Sequence, residues 1–277
     1  MFRDRQTGGV PELPEVESAR QALEGALDRE IQAVDDSDEW VSRPHRPGDI
    51  ARALVGGRLV AAHRRGKTMW LDTVGRDGEA GPPLGVHLGM GGRIIVTGPD
   101  GERGGGEPVR PDRTPRKAEW DRFTMTFTDG GQLRLFDKRR LGRVRLDPDL
   151  SLLGPDAETI TREDFRSRVG RGRAPVKARL LDQSVLAGVG NLLADEILWQ
   201  AAVSPSAPAG DLDGDTLDRL YGAMQRAVAA AIANGGAHTG EVNPFRHADA
   251  SCPRCGAPMV HGTVGGRTTW WCSVEQA

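Results

Sequence analysis

The chain has 277 residues, of which 27% are charged and 38% hydrophobic, and its formal net charge is −2. That length suits two domains or one large one, with ample apolar material for a core. The near-neutral charge argues against a simple polycationic nucleic-acid binder. No apolar stretch reaches membrane-span length, and three cysteines after position 250 do not make a secreted disulfide framework, so a cytoplasmic protein without membrane attachment is expected.

Residues 1–10 are polar apart from isolated apolar residues, carry no apolar run and therefore form no signal peptide. Pro11-Glu12-Leu13-Pro14-Glu15-Val16-Glu17 follows, and a helix is expected directly after it. Pro14 suits a first helical position, and Glu15 and Glu17 suit the positive end of the helix dipole. Val16, Ala19, Leu23 and Leu27 recur at roughly helical spacing, so one face packs inward. Residues 58–64 and 68–74 read as strands about a tight turn at Gly66-Lys67, with further strands at 85–88 and 93–96. Gly98 to Lys117, rich in Gly, Pro, Arg and Asp, reads as a mobile surface loop. Residues 123–127 and 132–136 alternate around Asp129-Gly130-Gly131, a hairpin signal.

After Pro148 the pattern turns helical. Val176, Leu180, Leu181, Val185 and Leu186 mark one helix, Asn191 to Gln200 another, and Thr216 to Asn234 a long third, with Asp213 or Asp215 as its cap and Gly235-Gly236 as its stop. Basic residues cluster locally: six between Arg134 and Arg145 against one acid, and seven between Arg162 and Arg179 against two. Such faces attract phosphate within a Debye length even on a neutral protein. Gly188-Val189-Gly190-Asn191 offers main-chain N–H groups at a helix start, which is a ready phosphate site, and Asn191 can cap the helix or donate to phosphate. In the tail, Cys252-Pro253-Arg254-Cys255 and Cys272 are separated as in a zinc ribbon, but Glu275 stands where a fourth cysteine belongs. One zinc held by Cys252, Cys255 and Cys272 is expected, with Glu275, His261, His247 or water in the fourth position.

Six segments in order, Pro11 to Glu17, Arg64-Arg65-Gly66-Lys67, His87-Leu88-Gly89-Met90-Gly91-Gly92, Lys138-Arg139-Arg140-Leu141-Gly142, Ala187 to Glu196 and the tail, resemble the formamidopyrimidine-DNA glycosylase / endonuclease VIII family. The resemblance spans roughly residues 11–275. It implies an α+β fold: an N-terminal antiparallel β-sandwich with a flanking helix over 11–148, a helical helix-two-turn-helix domain over 149–240, and a zinc-finger-like β-hairpin over 245–277. It implies a DNA base-excision glycosylase with abasic-site lyase activity, a monomer acting on damaged double-stranded DNA.

Within that resemblance Pro11 is the nucleophile, Glu12 moves protons at the sugar, and Lys67 contacts the phosphate beside the lesion. Met90, Arg139 and Leu141 fill the gap left by a flipped base, with Leu141 standing where an aromatic residue is common. Asn191 and Arg267 grip the DNA backbone. The short segment 235–251 favours oxidised pyrimidines or ring-opened bases as targets. One departure bears on chemistry, because ten residues precede Pro11 here and an amide nitrogen, conjugated with its carbonyl, cannot attack a sugar carbon. Val10 sits where the family has its initiator, so the mature chain is expected to start at Pro11. The rival expectation is a non-catalytic damaged-DNA binder with Pro11 blocked by residues 1–10.

Overall fold

The computed structural model describes residues 10–99, 101–108 and 117–277. The leading segment, apart from Val10, and part of the loop expected over 98–117 lie outside the described residues. The chain divides into two compact units: Pro11 with Glu15–Leu150, and Glu12–Pro14 with Ser151–Ala277.

In the first unit, α1 (Leu13–Leu23) starts one residue before Pro14 and continues from the second unit into the first. Val16, Ala19 and Leu23 are buried on its inward face. Among the described residues nine strands follow: β1 (Ile31–Asp35), β2 (Arg58–Arg65), β3 (Thr68–Val74), β4 (Ala80–His87), β5 (Arg93–Gly98), β6 (Gly101–Gly106), β7 (Asp121–Phe127), β8 (Gln132–Phe136) and β9 (Arg143–Leu146). The short helices α2 (Glu39–Ser42) and α3 (Asp49–Leu54) lie between β1 and β2.

One sheet has the order β1-β7-β8-β5-β6 and the other β2-β3-β4-β9, with every neighbouring pair antiparallel. Period-2 alternation sends Met69, Leu71, Phe123, Met125, Phe127, Leu133 and Leu135 into one core shared by both sheets and α1. This is the expected β-sandwich with its flanking helix. The expectation of a loop from Gly98 is corrected over Gly101–Gly106, which forms β6 against β5. Glycine is a poor strand former, but here it provides clearance: a Cβ on Gly105 would lie 2.1 Å from the Ser18 carbonyl oxygen of α1.

The second unit holds α4 (Arg162–Val169), α5 (Val176–Leu181), α6 (Asn191–Ala201), α7 (Gly214–Ala233) and a hairpin, β10 (Met259–Val264) with β11 (Arg267–Cys272). Asp213 caps α7 by accepting from the Thr216 N–H at 2.7 Å. Leu217, Leu220, Met224 and Val228 of α7 pack with Leu193, Ile197 and Leu198 of α6, and Leu13 joins that core. Helix α5 ends at Leu181, five residues short of Leu186. Asp182 there turns its carboxylate onto the Ser184 N–H at 2.9 Å, a local turn that competes with the helix. Val185 and Leu186 are buried all the same, so their hydrophobicity marked burial and not helix. The hairpin core joins Cys252, Met259 and Cys272 to Trp199 of α6. Among the described residues no helix is long and apolar enough to cross a membrane.

Candidate functional site

The site in the second unit is built on Glu12, which is 3% exposed. Its carboxylate accepts three main-chain N–H bonds at the start of α6: from Gly190 at 2.9 Å, Leu192 at 2.8 Å and Leu193 at 3.1 Å. The Leu13 N–H donates to the Gly188 carbonyl at 3.1 Å and holds the same two segments together. Three N–H donors and a helix N-terminus favour an ionised carboxylate.

The expected phosphate site at this helix start is thereby corrected, because Glu12 takes those N–H groups. Gly190 is extended, so its role is one of space: a Cβ there would lie 2.3 Å from Glu12 Cδ. Asn191 does not cap α6. Its Nδ2 donates to the Thr268 carbonyl at 3.0 Å, and its Oδ1 accepts from Lys177 at 2.8 Å. Arg267 opens β11 with its side chain exposed, at the Gly265-Gly266 tip of the hairpin.

Cys252, Cys255, Cys272 and Glu275 come together, with one ligand atom from each lying within 4.8 Å of the others. Cys255 and Cys272 sulfurs are 3.4 Å apart. Tetrahedral zinc with bonds of about 2.3 Å to sulfur separates its sulfurs by about 3.8 Å, so the set is compatible with one metal ion. N–H groups already point at two of the sulfurs: Trp199 Nε1 to Cys252 and Glu275 N to Cys272, each at 3.4 Å. Arg254 donates to Glu275 at 2.7 Å and to the Trp199 carbonyl at 2.6 Å, so the carboxylate is steered by a clamped guanidinium. Neither histidine joins the cluster: His261 packs on Trp270, and His247 pairs with the Ala248 carbonyl.

In the first unit, Lys67 occupies the β2–β3 turn beside Gly66, whose φ is +57°. Glu17 steadies this hairpin through Arg64, 2.9 Å away. Burial alone would raise the Glu17 pKa, but its bonds to Arg20 and Arg64 outweigh burial and hold it below its ordinary value. Met90 is 40% exposed, and Leu141 39%. Their loops touch backbone to backbone, since a Cβ on Gly89 would lie 2.4 Å from the Leu141 carbonyl carbon. Asp137, fully buried, organises the loop that carries Arg139 and Leu141. It accepts from the N–H groups of Arg139 at 2.9 Å, Leu141 at 2.7 Å and Gly142 at 2.6 Å.

Sequence reasoning missed Asp137 as an organiser, although it is the lone acid in a basic run. It also missed His87 as a chemical group. His87 Nδ1 accepts the Gly89 N–H at 3.0 Å. Burial first, then Lys67, Arg145 and Arg143, push its pKa below the ordinary histidine value. A neutral ring whose Nδ1 accepts must carry its proton on Nε2.

Two family models match the chain: the formamidopyrimidine-DNA glycosylase N-terminal domain over residues 10–144 and the formamidopyrimidine-DNA glycosylase H2TH domain over residues 153–242. The chain belongs to the formamidopyrimidine-DNA glycosylase family. Formamidopyrimidine-DNA glycosylase of Chloroflexus aggregans is 32% identical, with 96% of this chain and 98% of that protein covered. The enzyme of Paracoccus denitrificans is also 32% identical, over 96% and 100%. Among solved structures, Lactococcus lactis Fpg in complex with DNA containing an abasic site has a TM-score of 0.76 at 26% identity, covering 96% of this chain and 99% of that one. MutM in complex with DNA containing carbocyclic 8-oxo-G has a TM-score of 0.76 at 28% identity, with the same coverage.

Two outcomes follow for this member of the family. Gly190→Ala should displace the Glu12 carboxylate while sparing the core. Excision of a damaged base should then fall toward the level of Glu12→Gln, a loss of about 10²–10⁴-fold, with duplex binding retained. Normal excision by a folded Gly190→Ala protein would show that the cradle is dispensable.

His87 supplies a pH test. The unfolded chain protonates this imidazole near its ordinary value of about 6.5, whereas the fold resists protonation. The unfolded state therefore binds more protons as pH falls below that value, and stability is lost on the acid side. Thermal melts of wild type and His87→Gln between neutral pH and pH 5 should diverge, with the variant losing less. Parallel curves would mean that the fold does not depress this histidine.

Proposed function

We propose that this chain is a DNA base-excision repair glycosylase that removes oxidised or ring-opened bases from duplex DNA and then cleaves the abasic site through Pro11. The observation that carries the mechanism is the carboxylate of Glu12, next in the chain to Pro11 and fastened by three main-chain N–H groups. With Pro11 as a free amino terminus, its secondary amine attacks the anomeric carbon and the damaged base departs with the glycosidic electrons. The amine proton is then lost, the C1′–O4′ bond opens with a proton passing to O4′, and the iminium ion so formed acidifies the adjacent sugar hydrogens, so that elimination expels the 3′ phosphate and breaks the strand. Glu12 accepts a proton from the sugar or the amine and returns it. Lys67 places a positive charge beside the phosphate and the developing negative charge.

The paired loops support base flipping. Met90 and Leu141 are exposed apolar tips on apposed loops, and Arg139 belongs to the second of them. An extruded base leaves a gap that apolar wedges and a cation fill. Asn191 and Arg267 serve the DNA backbone. Functionally, residues 11–148 carry the chemistry and the wedges, 149–240 hold Glu12 and Asn191, and 245–277 present Arg267. The protein acts as a monomer in the cytoplasm, on the nucleoid. The match beginning at residue 10 supports Pro11 as the first residue of the active form. The rival, a binder with Pro11 blocked, would need the Glu12 cradle only as a structural tie and would have no use for a carboxylate beside a nucleophile.

In the tail, Cys252, Cys255, Cys272 and Glu275 hold one zinc ion, with Arg254 orienting the carboxylate. The ion would serve as a structural tie for the hairpin that carries Arg267.

Protein starting at Pro11 should be trapped on abasic DNA by borohydride, because reduction turns the iminium into a stable amine. Protein retaining residues 1–10 should not be trapped. Equal trapping by both, with the extension shown intact by mass spectrometry, would remove Pro11 as the nucleophile.

For the metal, elemental analysis of purified protein should give close to one zinc per chain, and Cys255→Ser should lower it sharply. Chelation should weaken DNA binding before the β-sandwich melts. Metal-free protein that binds and cleaves normally would leave the hairpin standing without zinc.

A further inference from the structure

We propose that Lys177 is a positioning residue: it sets the polarity of the hydrogen-bond network that presents Arg267 and Asn191 to the DNA backbone. This rests on the reading of Arg267 as a phosphate contact. Lys177 lies on α5 and is wholly buried. A buried ammonium is costly unless it is paired and its protons are used. Here Nζ lies 2.6 Å from Asp195 Oδ1, 2.8 Å from Asn191 Oδ1 and 2.7 Å from Thr269 Oγ1. An ammonium has three donors and no acceptor; it donates to Asn191 and Thr269 and is paired in charge with Asp195.

That one-way chemistry orients both uncharged partners. Asn191 must turn its oxygen toward Lys177, which leaves Nδ2 to donate to the Thr268 carbonyl at 3.0 Å. The Thr269 hydroxyl, accepting from Lys177, must donate its own proton elsewhere, and it does so to the Arg267 carbonyl at 3.0 Å. Two successive carbonyls at the start of β11 are thus gripped by groups whose direction Lys177 dictates. The anionic partner extends the grip, for Asp195 Oδ2 accepts from the Trp270 N–H at 3.3 Å and from Arg246 at 2.9 Å. The main chain of 267–270 is fastened at three points, and the Arg267 side chain projects from this fixed base. A pair kept only for stability could be exchanged for apolar residues of similar volume. A polarity-setting ammonium could not, because an apolar group cannot instruct Asn191 or Thr269.

The test uses protein starting at Pro11 and a duplex carrying a tetrahydrofuran abasic analogue, with affinity measured across a salt series. Arg267→Ala should weaken binding and lower the salt slope by about one unit. Thr269→Val keeps the shape and removes the relay hydroxyl. It should weaken binding about fivefold and move the salt slope toward that of Arg267→Ala, whereas Thr269→Ser should restore both.

The double variant Arg267→Ala/Thr269→Val should bind no more weakly than Arg267→Ala alone. Lys177→Met should behave as Thr269→Val does; if it fails to fold, the threonine series decides alone. If Arg267→Ala costs affinity while folded Thr269→Val binds with wild-type affinity and slope, the network is structural only and the proposal fails. If Arg267→Ala is itself silent, the phosphate contact fails, and the proposal falls with it.

Discussion

The structure depends on a carboxylate seated on a helix end. Glu12 and Gly190 are 178 positions apart, yet neither segment makes sense without the other. The first N–H groups of α6 have no partner within their own helix, and Glu12 supplies one for Gly190, Leu192 and Leu193. In return a nearly buried anion is solvated by main chain instead of water. Hydrogen bonds to a charged group contribute roughly 1.5–3 kcal/mol each, so the carboxylate proposed for catalysis is also a structural tie. The tie has a consequence for binding, because a helix end occupied by Glu12 cannot cradle a DNA phosphate. On the proposed reading that task passes to side chains, and Asn191 and Arg267 lie at the adjoining edge, joined through the Thr268 carbonyl.

The same device recurs in the first unit. Asp137 gathers three N–H groups of the loop that carries Arg139 and Leu141, and Asp36 gathers those of Gly48, Ile50 and Ala51 at the start of α3. This changes what the net charge means. Among the described residues seven carboxylates are buried (Glu12, Glu15, Asp36, Asp137, Asp156, Asp195 and Glu196), against one ammonium, Lys177. The formal charge of −2 counts groups that a ligand never meets. The accessible surface is more basic than the composition, which is why near-neutrality was a poor guide to nucleic-acid binding.

Much of the fold was legible because local physics and tertiary packing agree there. Phe123 to Phe127 alternates and is a strand, Asp129-Gly130-Gly131 is its turn, and Asp213 caps α7. Legibility failed where a distant partner decides. Gly101–Gly106 has no strand propensity, and its pairing with β5 and clearance against Ser18 are invisible locally. Gly188 to Asn191 looks like an anion site in isolation, and only the fold reveals that the anion is Glu12. Lys177 read as one charge in a basic run, since nothing in its neighbourhood announces Asp195 or Thr269. The candidate residues were named through motifs, but their fastenings were not, because a motif names side chains and leaves their supports to three-dimensional contact.

The two loops proposed as wedges show what such supports accomplish. An apolar tip held in water is unfavourable in the free protein, and a flexible one would have to be ordered at each encounter. Leu141 avoids the second cost. Its loop is folded around Asp137, and its backbone abuts Gly89, next to Met90. Arg140, at φ +56°, is held in that left-handed turn by Asp38, 2.8 Å away. The Leu141 loop is therefore ordered before DNA arrives, and on the proposed reading what binding adds is burial of the tip. Leucine offers less stacking surface than an aromatic ring, so the proposed wedge would work by shape and dehydration. Those terms depend on tip position more than on ring electronics, which makes the rigidity supplied by Asp137 and Gly89 more important here than it would be beneath an aromatic residue.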